Sequence, residues 1–183
     1  MQGESDVNSG SSAGRFGPLL DYLGSLDGRA DLEVLSGLLG DIAVTRADLG
    51  AACRFGADGY RRNRIAESDW YELVCLCWSS GQRTPIHDHR GSSCAFRVVE
   101  GVATETAFEP TPSGLICPCG RREHGAGRVC ASEEDDCHQV ANTQPAGEDL
   151  ITLHIYSPPL RQFNVYSLDT PTASDQRRPG CCR

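Results

Sequence analysis

The chain has 183 residues, 39% of them apolar, which suits one globular domain with a full hydrophobic core. Its formal net charge of −8 argues against nucleic acid or an anionic membrane surface as the main partner, since both would repel it. No apolar run approaches the roughly 20 residues that a membrane span needs.

Residues 1–14 are polar and rich in Gly and Ser, and are predicted to be a disordered tail. They contain no apolar stretch of the signal-peptide kind, so a cytoplasmic protein is expected. Leu19, Leu20, Tyr22 and Leu23 after Pro18 predict a short helix, and Leu32, Leu35, Leu38 and Leu39 keep helical spacing in a second. Thr45 with Asp48 reads as a third helix start, running towards Cys53. After residue 59 the pattern changes. Segments 71–78 (YELVCLCW), 94–100, 102–108, 150–156 and 163–168 are short and rich in β-formers. Ser79-Ser80-Gly81, Gly101, the segment 110–114 and the segment 145–147 punctuate them. Helices followed by a run of short strands predict a mainly β domain over residues 15–169, a small barrel or sandwich with a helical N-terminal flank up to about residue 53. Residues 170–183 are polar and end in Gly-Cys-Cys-Arg, a second loose tail. The chain has ten cysteines. Without export, free thiols, metal binding or catalysis are expected of them before a disulfide framework. A monomer is expected.

The chemistry begins at His87-Asp88-His89. On a strand, side chains two apart face the same way, so two imidazoles can meet one ion from one face. Alone the pair is a weak signal. Its surroundings strengthen it: Gly81, five residues, His87-x-His89, four residues, Cys94, six residues, Gly101. This spacing resembles the first cupin motif, in which the Cys94 position usually carries a glutamate ligand. His138-Gln-Val-Ala-Asn142 resembles the second, without the Pro-x-Gly that often precedes it. The resemblance implies a cupin fold, a small β-barrel of the jelly-roll type, with His87, His89 and His138 as metal ligands. Cysteine in place of glutamate leaves three neutral imidazoles, which suit Fe(II) or Zn(II). Such a site keeps more positive charge on the ion and favours an anionic ligand such as a thiolate.

Over roughly residues 55–169 the chain resembles the cysteine dioxygenase family. Tyr60-Arg61-Arg62-Asn63 is similar to the family's Tyr-x-Arg-Asn, Leu76-Cys77-Trp78 with Ile86–His89 to the strand entering the iron site, and Leu153-His154-Ile155-Tyr156-Ser157-Pro158-Pro159 to the segment carrying its tyrosine. The resemblance implies an iron enzyme that adds both atoms of dioxygen to the sulfur of L-cysteine, giving the sulfinate. Arg62 would grip the substrate carboxylate, with Tyr60 adding a hydroxyl. Tyr156 would bond substrate or dioxygen, crosslinked to Cys94 by a thioether that serves as a built-in cofactor. His154 would orient the Tyr156 hydroxyl. Thr152 stands where the family often has Ser, so a Thr152–His154–Tyr156 relay is kept. The alternatives are the same chemistry on another small thiol such as 3-mercaptopropionate, and a non-catalytic cupin sensing metal or thiol. Relatives acting on that thiol commonly carry Gln at the Arg62 position, which leans the reading towards cysteine.

Each residue also has a plainer role. The histidines could be ordinary polar residues, Cys94 a small apolar core residue, Arg62 a surface ion-pair partner and Tyr156 a strand aromatic. Cys117, Cys119, His124, Cys130 and Cys137 lie outside the family pattern. Cys-x-Cys is not the usual zinc spacing, so unpaired thiols or a loop disulfide are expected there before a structural zinc site. A cis bond is expected in Ser157-Pro158-Pro159.

Overall fold

Local capping starts the helical flank. Asp31 accepts a hydrogen bond from Val34 N at 3.0 Å, and Thr45 with Asp48 closes a reciprocal capping box, so the start expected at Thr45 is a real one and Asp31 caps the helix before it. The computed structural model describes residues 12–132 and 136–170. Of the expected tails at 1–14 and 170–183, residues 1–11 and 171–183, with Cys181 and Cys182, lie outside the described residues, while residues 12–14, expected to be loose, belong to a short helix. The helices are α1 (Ser12–Arg15), α2 (Gly17–Gly24), α3 (Leu32–Asp41) and α4 (Arg46–Leu49), the last continuing into a 3₁₀ turn, Gly50–Ala52. None of the described helices is long and apolar enough to cross a membrane.

Among the described residues ten strands follow: β1 (Arg61–Glu67), β2 (Glu72–Trp78), β3 (Ile86–His87), β4 (Ser93–Glu100), β5 (Val102–Pro110), β6 (Ile116–Gly125), β7 (Val129–Ser132), β8 (Cys137–Ala141), β9 (Leu150–Ser157) and β10 (Val165–Tyr166). They form two five-stranded sheets, ordered β1-β2-β9-β4-β7 and β10-β3-β8-β5-β6, and every pairing is antiparallel. The expected strand at 163–168 is only two residues long, pairing with β3 alone. Its side chains earn little burial, for Phe163, Val165 and Leu168 are exposed. The strands β1, β6 and β7 escape a hydrophobic pattern because each lies at a sheet edge, where charged residues blunt further pairing.

The first sheet is buried on both faces. In β2 and β9, Leu73, Cys75, Cys77, Ile151, Leu153 and Ile155 pack against Leu19, Leu23, Leu35 and Leu39 of the helices. The alternate residues Val74, Leu76, Trp78, Leu150 and Tyr156 belong to the core between the sheets, with Cys94 and Phe96 from β4. Two faces, two cores and period-two geometry explain why these strands read as continuous apolar runs. Gly101 turns β4 into β5 at φ 81°; a Cβ there would lie 2.3 Å from Asp149 O, so this motif position requires glycine. Asn142 of the second motif is a brace: its amide donates to Trp78 O (3.1 Å) and Glu148 O (2.9 Å). The Ser157–Pro158 bond is cis, as expected.

Candidate active site

The pairing of β4 with β9 sets Cys94 opposite Tyr156, Phe96 opposite His154 and Val98 opposite Thr152. The pairing of β3 with β8 sets His87 opposite His138. His89 follows β3 in a turn closed by Ser92 N donating to His89 O at 3.0 Å. All three histidines are buried. Their ring centroids are 4.8–5.3 Å apart, and one ligand atom from each lies within 4.8 Å of the others.

The donor set fits a divalent cation. His87 Nδ1 lies 3.1 Å from Pro85 O and His138 Nδ1 lies 2.7 Å from Glu105 Oε1, which leaves Nε2 of each ring for the ion. Burial, with His138 beside it, pushes His87 down to about 4, so its ring is neutral near pH 7 and its lone pair is available. Burial, reinforced by the Glu105 carboxylate, pushes the Cys94 thiol up. It is therefore protonated, and adds no anionic ligand where the cupin motif usually has glutamate.

One cavity gathers nearly all the predicted residues: Tyr60, Arg62, Cys94, His154, Tyr156 and the three histidines line it, with Leu76, Leu160 and Phe163 among its apolar walls. Tyr60 is stacked on Trp78, with ring centroids 4.3 Å apart. The Arg62 guanidinium lies 5.1 Å from the Tyr156 ring centroid, while its Nη2 donates to Glu72 at 2.8 Å. That ion pair leaves Nε and Nη1 as further donors. Burial, with Cys94 next to it, raises the Tyr156 hydroxyl pKa, so the group is a phenol and carries a proton. Behind it stand His154 Nδ1, 3.3 Å from Tyr156 Oη, and Thr152 Oγ1, 2.9 Å from His154 Nε2. Trp78 Nε1 donates to Thr152 Oγ1 at 3.0 Å. Thr152 is thus one step removed from the cavity. Burial, then the positive charge of Arg62, holds His154 neutral, and Phe96 stacks on its ring at 4.8 Å.

Two carboxylates escaped the sequence reading. Glu105 bridges His138 Nδ1 (2.7 Å) and His124 Nε2 (3.0 Å). Burial opposes its ionisation, but the two imidazoles outweigh that and hold its carboxyl below the usual range. By period two Glu105 shares a strand face with Ala103, which is fully buried, and a carboxylate on such a face needs a partner, but neither that burial nor the partners can be read from the sequence. Asp88, between the two ligating positions, accepts from Asn164 N (2.9 Å), Asn164 Nδ2 (2.7 Å) and Tyr166 Oη (2.8 Å). It fastens the segment that brings Phe163 to 5.8 Å from the His87 ring. Nothing in the sequence announces a contact that spans so much chain. Of the unassigned cysteines, Cys117, Cys119, Cys130 and Cys137 are all free thiols.

Two facing antiparallel sheets with three imidazoles converging between them define a metal-binding cupin. The fold is similar to that of an uncharacterized conserved protein with a double-stranded β-helix domain from Klebsiella pneumoniae, with a TM-score of 0.53 and 18% identity over 77% of this chain and 98% of that one. It is also similar to TT1209 from Thermus thermophilus, with a TM-score of 0.51 and 16% identity over 61% of this chain and 94% of that one. Within that class, residues 30–169 match the family described as cysteine dioxygenase type I, and the chain belongs to this family. It is 30% identical over 158 residues to cysteine dioxygenase type 1 of Rattus norvegicus, covering 80% of this chain and 71% of the relative. With the Danio rerio protein it shares 28% identity over 150 residues, covering 76% and 72%.

Proposed function

We propose that this protein catalyses the iron-dependent dioxygenation of L-cysteine to cysteine sulfinate, with His87, His89 and His138 holding Fe(II) and residues 15–169 as the catalytic unit. The observation that carries the reading is the joint placement of a carboxylate-free His triad, Arg62 and Tyr156 on one cavity. Fe(II) bound there supplies the place where a thiolate and dioxygen react and both oxygen atoms pass to sulfur. The chain's own residues do the rest. Arg62, steadied by Glu72 and the Tyr156 ring, presents its remaining N–H donors to the carboxylate, a charge-assisted contact with directional specificity. The Tyr60 hydroxyl adds a second hydrogen bond. The Tyr156 hydroxyl holds a proton at the reacting end, oriented by His154 and, through it, by Thr152. Leu76, Leu160 and Phe163 give the cavity apolar walls, and a low local dielectric strengthens the polar contacts inside. A thioether joining Cys94 Sγ to the Tyr156 ring is favoured by their direct cross-strand pairing, and would add a covalent restraint to a ring otherwise held by His154 and Arg62. The eight free thiols among the described residues suit a reducing compartment, so we place the enzyme in the cytoplasm.

The test is anaerobic loading with Fe(II), then oxygen uptake and sulfinate detection with cysteine, 3-mercaptopropionate and cysteamine. Uptake coupled to cysteine sulfinate is expected. A preference for 3-mercaptopropionate would move the assignment to that thiol, and no uptake with any thiol would end the dioxygenase reading.

A further inference from the structure

His124 and Cys130 take no part in the site above, yet both converge on Glu105 from neighbouring strands. One ligand atom from each of Glu105 (β5), His124 (β6) and Cys130 (β7) lies within 4.8 Å of the others. All three side chains are partly buried. They come from both sheets, so the cluster bridges the barrel where β6 and β7 meet. Phe96 stands edge-on to His124 at 6.2 Å and walls its inner side. We propose that Glu105, His124 and Cys130 form a second divalent-cation site, for a borderline-soft ion of the Zn(II) class, on the far side of His138 from the cavity.

The donor set is one carboxylate, one imidazole and one thiol, the combination that selects zinc-like ions over Mg(II) or Ca(II). His124 Nε2 and Glu105 Oε2 are 3.0 Å apart. Ligands at about 2.0–2.2 Å from a tetrahedral ion stand roughly 3.3 Å apart, so the ion needs them to part by a few tenths of an ångström. Glu105 Oε1 remains on His138 Nδ1, so the carboxylate keeps its first task while Oε2 takes the second. Burial, with Glu105 beside it, pushes the Cys130 thiol up to about 12. Without a cation the group is a thiol; binding displaces its proton to solvent and leaves a thiolate on the ion. Three protein ligands leave a fourth position open, the pattern of an exchangeable site and not of a closed structural one. The proposal rests on this cluster's geometry and holds whichever reaction the three-histidine site performs.

The probe is Co(II), added without oxygen to the full chain. A sulfur-to-cobalt charge-transfer band in the near ultraviolet reports a thiolate ligand, and its loss in Cys130→Ser assigns it to the second site and not to Cys94, which lines the His-triad cavity. Two equivalents and one such band are expected. Cys130→Ser should lose the band and one equivalent, and His124→Ala should do the same. Cys119→Ser should keep both, and His89→Ala should keep the band while losing the other equivalent. A single equivalent in the unaltered chain, or a band that survives Cys130→Ser, overturns the proposal. A measurement free of variants guards against misfolding: Zn(II) should slow alkylation of Cys130 in the unaltered chain, mapped by peptide mass, and equal rates with and without Zn(II) would overturn the site as well.

Discussion

In β9 all eight residues are buried, whereas in β6 only Ile116 of ten is. The central strand lies between β2 and β4, while β6 is an edge strand paired with β5 alone. Both strands bring polar groups to the interior, but on different terms. In β9 the row Thr152, His154, Tyr156 is held from the sides by Trp78 and Phe96, and from behind by the alternate row packed on the helices. Among the described residues His124 in β6 has one bonded partner, Glu105, and one ring neighbour, Phe96. Positions that must not move stand where two cores meet, and positions that can yield stand at an edge.

Substitutions can break this contrast, beginning with the largest effect. His138→Ala removes one of three ligands and should abolish both iron retention and oxygen uptake, read by metal analysis of the purified chain. An iron content equal to the parent's would remove His138 from the centre. Leu153→Ala, on the helix-facing row of β9, should cost about 2–5 kcal/mol by denaturant unfolding, because the helices cannot collapse into the void. A loss under ~1 kcal/mol would show that the flank is loosely docked. Arg62→Ala should raise KM for cysteine by roughly 10- to 100-fold, the worth of a charge-assisted pair, and leave cysteamine nearly unchanged. Equal effects on both thiols would take Arg62 out of carboxylate recognition. Glu105→Gln keeps the shape but weakens the acceptor on His138 Nδ1, and should lower Fe(II) affinity about 10- to 100-fold, measured by anaerobic titration. Arg121→Ala, on the exposed face of β6, should change stability by no more than ~0.5 kcal/mol; a larger loss would mean the edge strand is as constrained as β9.

The same contrast explains what the sequence made legible. The β2, β4 and β9 segments stood out as short runs of β-formers buried on both faces, and the helices by apolar residues repeating at three to four. The cupin-like spacings carried His87, His89, Cys94 and His138, while His154 and Tyr156 on β9 were assigned by resemblance to the family. Arg62 and Tyr60 were found only by resemblance, since an edge strand reading Arg-Arg-Asn-Arg has no apolar face to announce it. The strands around Cys117 and Cys130 were missed for that reason too. Glu105 was hidden differently: its partners His124 and His138 lie on the two strands flanking β5, and only sheet order brings them together. Asp88 was overlooked because it sits between two histidines that explain the motif without it.

The two-sided burial of β9 also bears on how this protein can change over generations. Sliding the strand by one residue would carry Ile151, Leu153 and Ile155 into the cavity and turn Thr152, His154 and Tyr156 towards the helices, ruining both cores at once. Insertions and deletions are therefore closed to this strand as a source of variation. New specificity must arrive by substitution at fixed positions, or at the loops and edge strands where a change of length costs little.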